Sequence, residues 1–408
     1  MDEVLSALSG DQVVVDERVL IPPEPLQSPV ASPSRSDKTV YGTHYANYID
    51  SEHFSVNWSD GNGNQNIGQL VSDAMEEAWY QLVEQQGWTP PVSSDDYLLW
   101  VVLDSNLSGT GLTTEYYSGD FPDGYPVMWI NPQYFQDYDF FTCLCAHEFG
   151  HALQFALREG YSGDEESWFW EASAMWQCKL TFPDDRSYAD QAYYYATQPG
   201  LTYSSMSGYH QYGMFPVNLW LDEFVVGEGA TKEIWELSNT MDNATWDDII
   251  EASTGVSASE VWAGWTGAYG NEQFDDSQRY WSPNTQGTVE DGSTGSVTYL
   301  GTDYWLVSED GAYEATGDVV LAGSEGPAEK VAVQNGDTLS VTGTSTKQAQ
   351  YTLLATTIET DENKNGGSLR NNKSDAGCGC AATPSTPWQR VWFWPIAMWV
   401  FGRRKEKL

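Results

Sequence analysis

The sequence predicts an α+β domain followed by a small β-sandwich, and three observations carry that expectation. Strand-like runs cluster before about residue 132, and runs with helical spacing fill about 140–270. After Ser282 the composition turns to Gly, Thr, Val and Ser in short alternating stretches. At 408 residues the chain is long enough for one full-sized domain and a smaller module, since a domain takes roughly 100–200 residues. Its 19 Trp and 24 Tyr supply bulky apolar material for a core and for lining a cleft.

In chain order, residues 1–40 contain PPEPLQSPVASPSRS, which has no apolar period and reads as a leader or linker. The main domain is expected over 41–282. FSVNW alternates like a strand, and IGQLVSDAMEEAWYQLVEQQG has helical spacing, stopped by Gly87 and the Pro90-Pro91 pair. YLLWVVLD is apolar enough for a strand buried on both faces. PVMWINP, residues 126–132, has proline at both ends and is expected at a sheet edge, because proline cannot donate to a ladder. One helix is expected from about Phe140 to Glu159 and a second from Ser167 to Lys179. Irregular Tyr-rich sequence then leads to helices near Gln211–Phe224, Gly229–Thr240, Trp246–Ser253 and Ala258–Tyr269. The runs SVTYLG, YWLVSE, VVLAG, VAVQ, LSVTG and YTLLATT predict the β-sandwich over 283–359, followed by a polar linker, 360–376, and a tail, 377–408.

The formal charge is −41, from 59 acidic against 18 basic residues, which repels phosphate backbones and anionic membrane surfaces. Nucleic acid is therefore excluded as a partner. The acidity suits either a surface adapted to a saline exterior or a soluble acidic exoprotein. MDEVLSALSG lacks the basic start and apolar core of a secretory signal, which leaves an upstream start, a signal already removed, or a cytosolic chain. The C-terminal tail argues against the last.

The chemistry centres on CLCAHEFGHALQF, in which His147-Glu148-Phe149-Gly150-His151 matches HExxH. On a helix, residues four apart share a face, so both imidazoles can reach one ion while Glu148 points one step around toward a water. Two neutral imidazoles and one carboxylate suit zinc and leave a position open. Glu171, in the aromatic run SWFWEASAMW, is the candidate third ligand, because a buried ionised carboxylate needs a cation or strong donors. Glu148 would then act as general base on a water activated by the ion and pass the proton to a leaving amine. Candidates for stabilising the oxyanion are His210 and Tyr212, with Tyr209 beside them, in SGYHQYGMF.

HExxH, nineteen intervening residues and then Glu-Ala resembles the gluzincin branch of the zincin metallopeptidases, with their thermolysin-like architecture. The resemblance covers 53–270, and most closely Phe140 to Trp176. It implies a twisted sheet with an active-site helix beneath it, a helical C-terminal subdomain closing a cleft, and an edge strand, here PVMWINP, that pairs with extended substrate. The thermolysin-like pattern has an Asp four residues after the glutamate ligand to orient a histidine. Here that position is Met175, so the orienting group must come from elsewhere. The expected activity is zinc-dependent hydrolysis of peptide bonds in a peptide or protein substrate. An aminopeptidase on the same centre and a catalytically silent surface binding protein are the alternatives; the sequence sets no oligomeric state.

DGNGN at 60–64 and DENKNG at 361–366 resemble calcium loops, but the twelfth positions hold Val71 and Asn372 rather than Glu, so both read as turns. His44 and His53 have no metal-like partners in sequence. The tail places Cys378-Gly379-Cys380 before an apolar run of eleven residues and Arg403-Arg404, too short for the roughly 20 residues of a spanning helix. It resembles myxobacterial-type C-terminal sorting tails, which implies processing near the Cys pair, attachment to membrane or cell surface, and an extracellular or cell-surface location. Cys143 lies one turn before His147 and Cys178 two turns after Glu171. If the two ligand helices run antiparallel, these two cysteines form the natural disulfide, with Cys145 left as a buried thiol. The alternative is that all three stay reduced.

Overall fold

Among the described residues, six strands form the first sheet: β1 (Thr39–Val40), β2 (Asn47–Asp50), β3 (Phe54–Trp58), β4 (Tyr97–Leu103), β5 (Gly111–Glu115) and β6 (Pro126–Ile130). Their order is β2-β3-β4-β6-β5, with β1 parallel to the start of β4. The computed structural model describes residues 38–356, apart from 43, 123, 159–166 and 242–243. The expected leader before Lys38, the linker 360–376, the DENKNG turn and the tail 377–408 therefore lie outside the described residues.

Central β4 explains its unbroken apolar sequence, since it pairs in parallel with β3 on one side and with β6 on the other. Its side chains alternate between two buried layers. Leu99, Val101 and Leu103 join Phe54, Val56, Met128 and Ile130 in the main core, while Trp100 and Val102 join Phe121, Tyr125 and Val127 in an aromatic layer on the opposite face. A helix, Gln65–Trp79, links β3 to β4. Asn64 caps it, accepting from the backbone N–H of Asn66 and Ile67 at 2.9 and 3.1 Å. DGNGN is thus the turn and cap of this helix.

The expected edge position of PVMWINP is corrected by the sheet. β6 is an interior strand between β4 and β5, and the edge on that side is the antiparallel β5, with β2 at the other end. Both prolines avoid the ladder's demands: Pro126 is the first residue of β6, and Pro132 lies past its end in a short 3₁₀ turn. The sequence GLTTE is short and begins with glycine, so it carries little strand pattern of its own.

The helices that follow begin with two that carry the candidate site residues, Tyr138–Phe155 and Trp168–Thr181. The first lies under the sheet and is buried from Phe141 through Gln154, with Asp137 accepting from the Phe140 N–H at 3.2 Å to cap it. The Tyr-rich stretch expected to be irregular contains a helix, Ser187–Thr197, whose buried residues Tyr188, Ala189, Ala192, Tyr195 and Ala196 have helical spacing. The tyrosines hid this period because they occupy the outer face as well. The helix expected over Gln211–Phe224 is broken into His210–Gly213, Pro216–Trp220 and a π-turn, Leu221–Val225. Pro216 lacks the N–H that a continuous helix would need there and starts the second piece instead. Helices Ala230–Ser238, Trp246–Thr254 and Ala258–Gly270 complete this part, the last two opening with capping boxes at Thr245/Asp248 and Ser257/Glu260.

Eight further strands form two four-stranded sheets among the described residues, β7 (Thr294–Val297), β8 (Thr302–Leu306), β9 (Gly311–Thr316), β10 (Val319–Gly323), β11 (Gly326–Ala328), β12 (Lys330–Val333), β13 (Thr338–Gly343) and β14 (Ala349–Thr356). The orders are β11-β10-β13-β8 and β12-β9-β14-β7, and the sheets share a core that includes Trp305, Leu321, Leu339, Val341, Tyr351 and Leu353. The change of architecture near 283 is not a break in packing. Gly267 and Gly270 of the last helix let Ala322 and Tyr304 approach closely, and the Tyr304 hydroxyl lies 2.8 Å from that of Tyr195. The described residues accordingly belong to one compact unit. The fold is α+β, and among the described residues no helix is long and apolar enough to cross a membrane.

Candidate metal centre

His147 and His151 project from the same face of the first ligand helix, and Glu171 comes from the first turn of Trp168–Thr181. Their donor atoms converge. His147 Nε2 lies 3.1 Å from Glu171 Oε2 and 3.1 Å from His151 Nε2, and His151 Nε2 lies 3.4 Å from Glu171 Oε2. Donors about 2.0–2.1 Å from a shared tetrahedral ion sit roughly 3.3 Å apart, so the spacing fits. All three residues are at most 9% exposed. Burial opposes ionisation of Glu171, but the His151 and His147 rings outweigh it and hold the carboxyl well below the usual range. Burial likewise opposes a charge on His151, yet Glu171 raises it to about 9. A carboxylate and two imidazoles buried this closely call for a cation among them, a proton or a metal, and this is the one group of its kind among the described residues.

One of the two histidines is oriented by a residue that no motif singles out. Gln154 Oε1 sits 2.8 Å from His151 Nδ1, and the Gln154 amide donates to Trp170 O and Ser173 Oγ, both at 3.0 Å. Ser173 also receives the Trp235 indole N–H at 3.0 Å. With its amide nitrogen engaged, Gln154 presents its oxygen to the ring, so Nδ1 carries the proton and Nε2 keeps its lone pair for an ion. The clue in the sequence is the polar residue in the apolar run ALQF. Met175 leaves its counterpart unfilled, as His147 Nδ1 is buried with no hydrogen-bond partner among the described residues. Replacing Gln154 by Leu is expected to weaken metal affinity about 10–100-fold, measured by competition with a chromogenic chelator. Unchanged affinity would exclude this orienting role.

Glu148 is buried beside these three residues and is fixed from the edge strand. Thr113 Oγ1 lies 2.7 Å from its Oε2 and 2.8 Å from its backbone oxygen. Gly111 of the same strand makes room, since a methyl group there would overlap the Glu148 carboxylate. Burial pushes the Glu148 pKa up, and the two histidines and Thr113 only partly counter it. Gly150, inside HExxH, lets the second ligand helix approach, because a Cβ at that position would meet the side chain of Gln177. Neither Thr113 nor Gly111 is legible in the sequence, because β5 itself is not.

Cys143 and Cys178 form a disulfide with Cα atoms 5.1 Å apart, and Cys145 remains a free, buried thiol. The bridge ties the two ligand helices together one turn before His147. Its loop of 35 residues is long enough for a stabilisation of about 2–4 kcal/mol. Thermal melts of Cys143→Ser/Cys178→Ser are expected to show a loss of that size, and an unchanged melting temperature would show that the bridge adds nothing.

The two candidate oxyanion donors part company. Tyr212 has its ring 5.8 Å from that of His147, whereas His210 is 1% exposed with its ring 5.7 Å from Tyr195. Burial lowers the His210 pKa to about 4, so it is a neutral ring in the interior. Tyr209 lies beyond Tyr212, 6.2 Å from it. His44 and His53 pair with Asp50 at 3.2 Å and Glu76 at 2.7 Å, away from any three-residue group.

Fold and site together define an α+β protein with a buried two-histidine, one-glutamate group that could hold a metal, flanked by a buried glutamate. The chain belongs to DUF6055, a family of unknown function, whose match spans residues 13–254 and so includes both ligand helices. No curated protein and no solved structure matches the chain.

Proposed function

We propose that this protein is a zinc-dependent peptidase of the gluzincin type, acting outside the cell or at its surface. The observation that carries the reading is the convergence of His147, His151 and Glu171 on one point with the Glu148 carboxylate held beside them. These three residues would hold zinc through two neutral imidazoles and a carboxylate. When bound, the ion supplies Lewis acidity, which acidifies water and polarises a carbonyl. Glu148, its pKa raised by burial, takes the proton from the attacking water and returns it to the leaving amine. Thr113 keeps that carboxylate in place, and Tyr212 is better situated than His210 to donate to a developing oxyanion. The β5 edge, with Thr113 turned toward the centre, offers backbone groups to an extended peptide. The Cys143–Cys178 bridge supports an oxidising compartment. Metal analysis of the purified chain should find about one zinc, and casein hydrolysis should vanish with a chelator and return with zinc. A metal-free chain that hydrolyses casein at full rate would sink the reading.

A further inference from the structure

A row of aromatic rings leads away from the candidate metal centre. The His147 ring lies 5.8 Å from Tyr212, Tyr212 lies 6.2 Å from Tyr209, and Tyr209 lies 5.4 Å from Tyr194. The row continues from Tyr194 to Tyr193 at 5.8 Å and from Tyr193 to Trp281 at 5.2 Å. The four tyrosines are half-buried, and Trp281 is 41% exposed. Rings assembled only for packing would close over one another, as Trp168, Trp235 and Trp246 do in the core. Here each keeps part of its surface in water, and the row ends on an open indole.

A second, independent observation marks the same place. Tyr209 has φ 63° and ψ 21°, the left-handed region, directly after Gly208 at φ 62°. A residue with a Cβ is disfavoured there, and glycine would fit without strain. Tyr209 is one of four non-glycine residues with positive φ among the described residues, with Ser93, Glu272 and Leu300, and the one of them in contact with this row; such conformations recur at ligand-binding sites. The consecutive left-handed pair turns the chain so that Tyr209 meets Tyr194 on one side and Tyr212 on the other.

We propose that this row is the specificity platform for the substrate, taking a neutral or basic polypeptide segment that carries aromatic or proline side chains. The inference rests on the peptidase reading and names its substrate class. Ring faces recognise aromatic and proline surfaces and attract cationic side chains, and the net charge of −41 draws basic segments while repelling acidic ones. Followed from ring to ring, the path from His147 to Trp281 is no longer than roughly eight extended residues at about 3.3 Å each.

The test uses the full chain as Glu148→Gln, loaded with zinc, and fluorescence anisotropy of labelled peptides. The probes are an octapeptide of Phe, Pro and Lys, the same octapeptide with Glu for Lys, and its first four residues alone. The basic octapeptide should bind at least tenfold more tightly than the acidic one. Trp281→Ala should weaken the octapeptide about 5–10-fold and leave the tetrapeptide unchanged. Tyr209→Gly should weaken both without lowering the melting temperature, since glycine relaxes the left-handed turn. Equal affinities in both variants, absence of octapeptide binding, or platform-dependent binding of chitohexaose instead of peptide would overturn the proposal. The two readings fail differently. Casein hydrolysis with unchanged KM in Trp281→Ala and Tyr209→Gly, made in the chain that retains Glu148, removes the platform alone. Platform-dependent peptide binding by a chain that takes up no zinc and cleaves nothing removes the peptidase reading and keeps the platform.

Discussion

Glu148→Gln is expected to lower peptide hydrolysis by at least 10²-fold and up to about 10⁴-fold while the protein keeps its zinc and its fold. The substitution preserves volume, and Gln can still accept from Thr113 Oγ1, which now lies 2.7 Å from Oε2. What is lost is the group that takes a proton. Because Glu148 is not one of the converging donors, metal content should stay near one per chain. Activity and metal content measured on one preparation separate the outcomes. Full turnover in the variant excludes Glu148 as the base, and joint loss of metal and activity would mean that it serves the centre structurally.

Removing zinc should invert how stability depends on pH. In the metal-free protein, His151 titrates at about 9, raised by Glu171 against the opposing effect of burial, whereas an unperturbed histidine titrates near 6.5. Its contribution to stability is therefore fully present below about pH 6.5 and is lost as pH rises through 9. Glu171, with its pKa lowered, contributes above the ordinary carboxylate range, and that contribution is lost as pH falls through its folded-state value. The chelated protein should melt highest between about pH 5 and 6.5 and progressively lower toward pH 9. Zinc must displace the His151 proton, so apparent affinity should tighten about tenfold per pH unit from 6.5 to 8.5, with about one proton released. At a thousandfold excess over Kd the ion would add about 4 kcal/mol, a shift of several degrees. Calorimetry in buffers of different ionisation enthalpy counts the proton, and Glu171→Ala should abolish both zinc uptake and the alkaline loss of stability. Zinc uptake with no proton release would exclude a protonated His151 in the metal-free state.

The parts of the site that lie within one helix were legible because a helix has a fixed period. The four-residue spacing of His147 and His151 dictates a shared face wherever the helix packs, and the positions of Cys143 and Cys178 relative to their ligands follow the same rule. Glu171 was legible for another reason, since a carboxylate in an aromatic helix has to be answered by something. Prolines were less informative. Those of PVMWINP suggested an edge because they cannot donate, yet both sit where no donor is required, while Pro216 divides a helix that apolar spacing alone would have made continuous.

Residue order alone set the α+β class, the unbroken apolar run that suits β4 to the centre of a sheet, the run of helices after it, and the set of residues able to surround an ion. Packing in three dimensions made β5 an edge beside the site, set Thr113 and Gly111 around Glu148, and turned Gln154 toward His151. Packing also places Tyr212 rather than His210 beside the His147 ring, and brings five aromatic side chains into successive contact from there to Trp281. The physical reason is the range over which each rule acts. Period, capping and burial cost are properties of a segment and its solvent, whereas the contact of Thr113 with Glu148, or the anchoring of Gln154 by Trp170 and Ser173, depends on how separate elements pack, and local sequence carries almost no record of that.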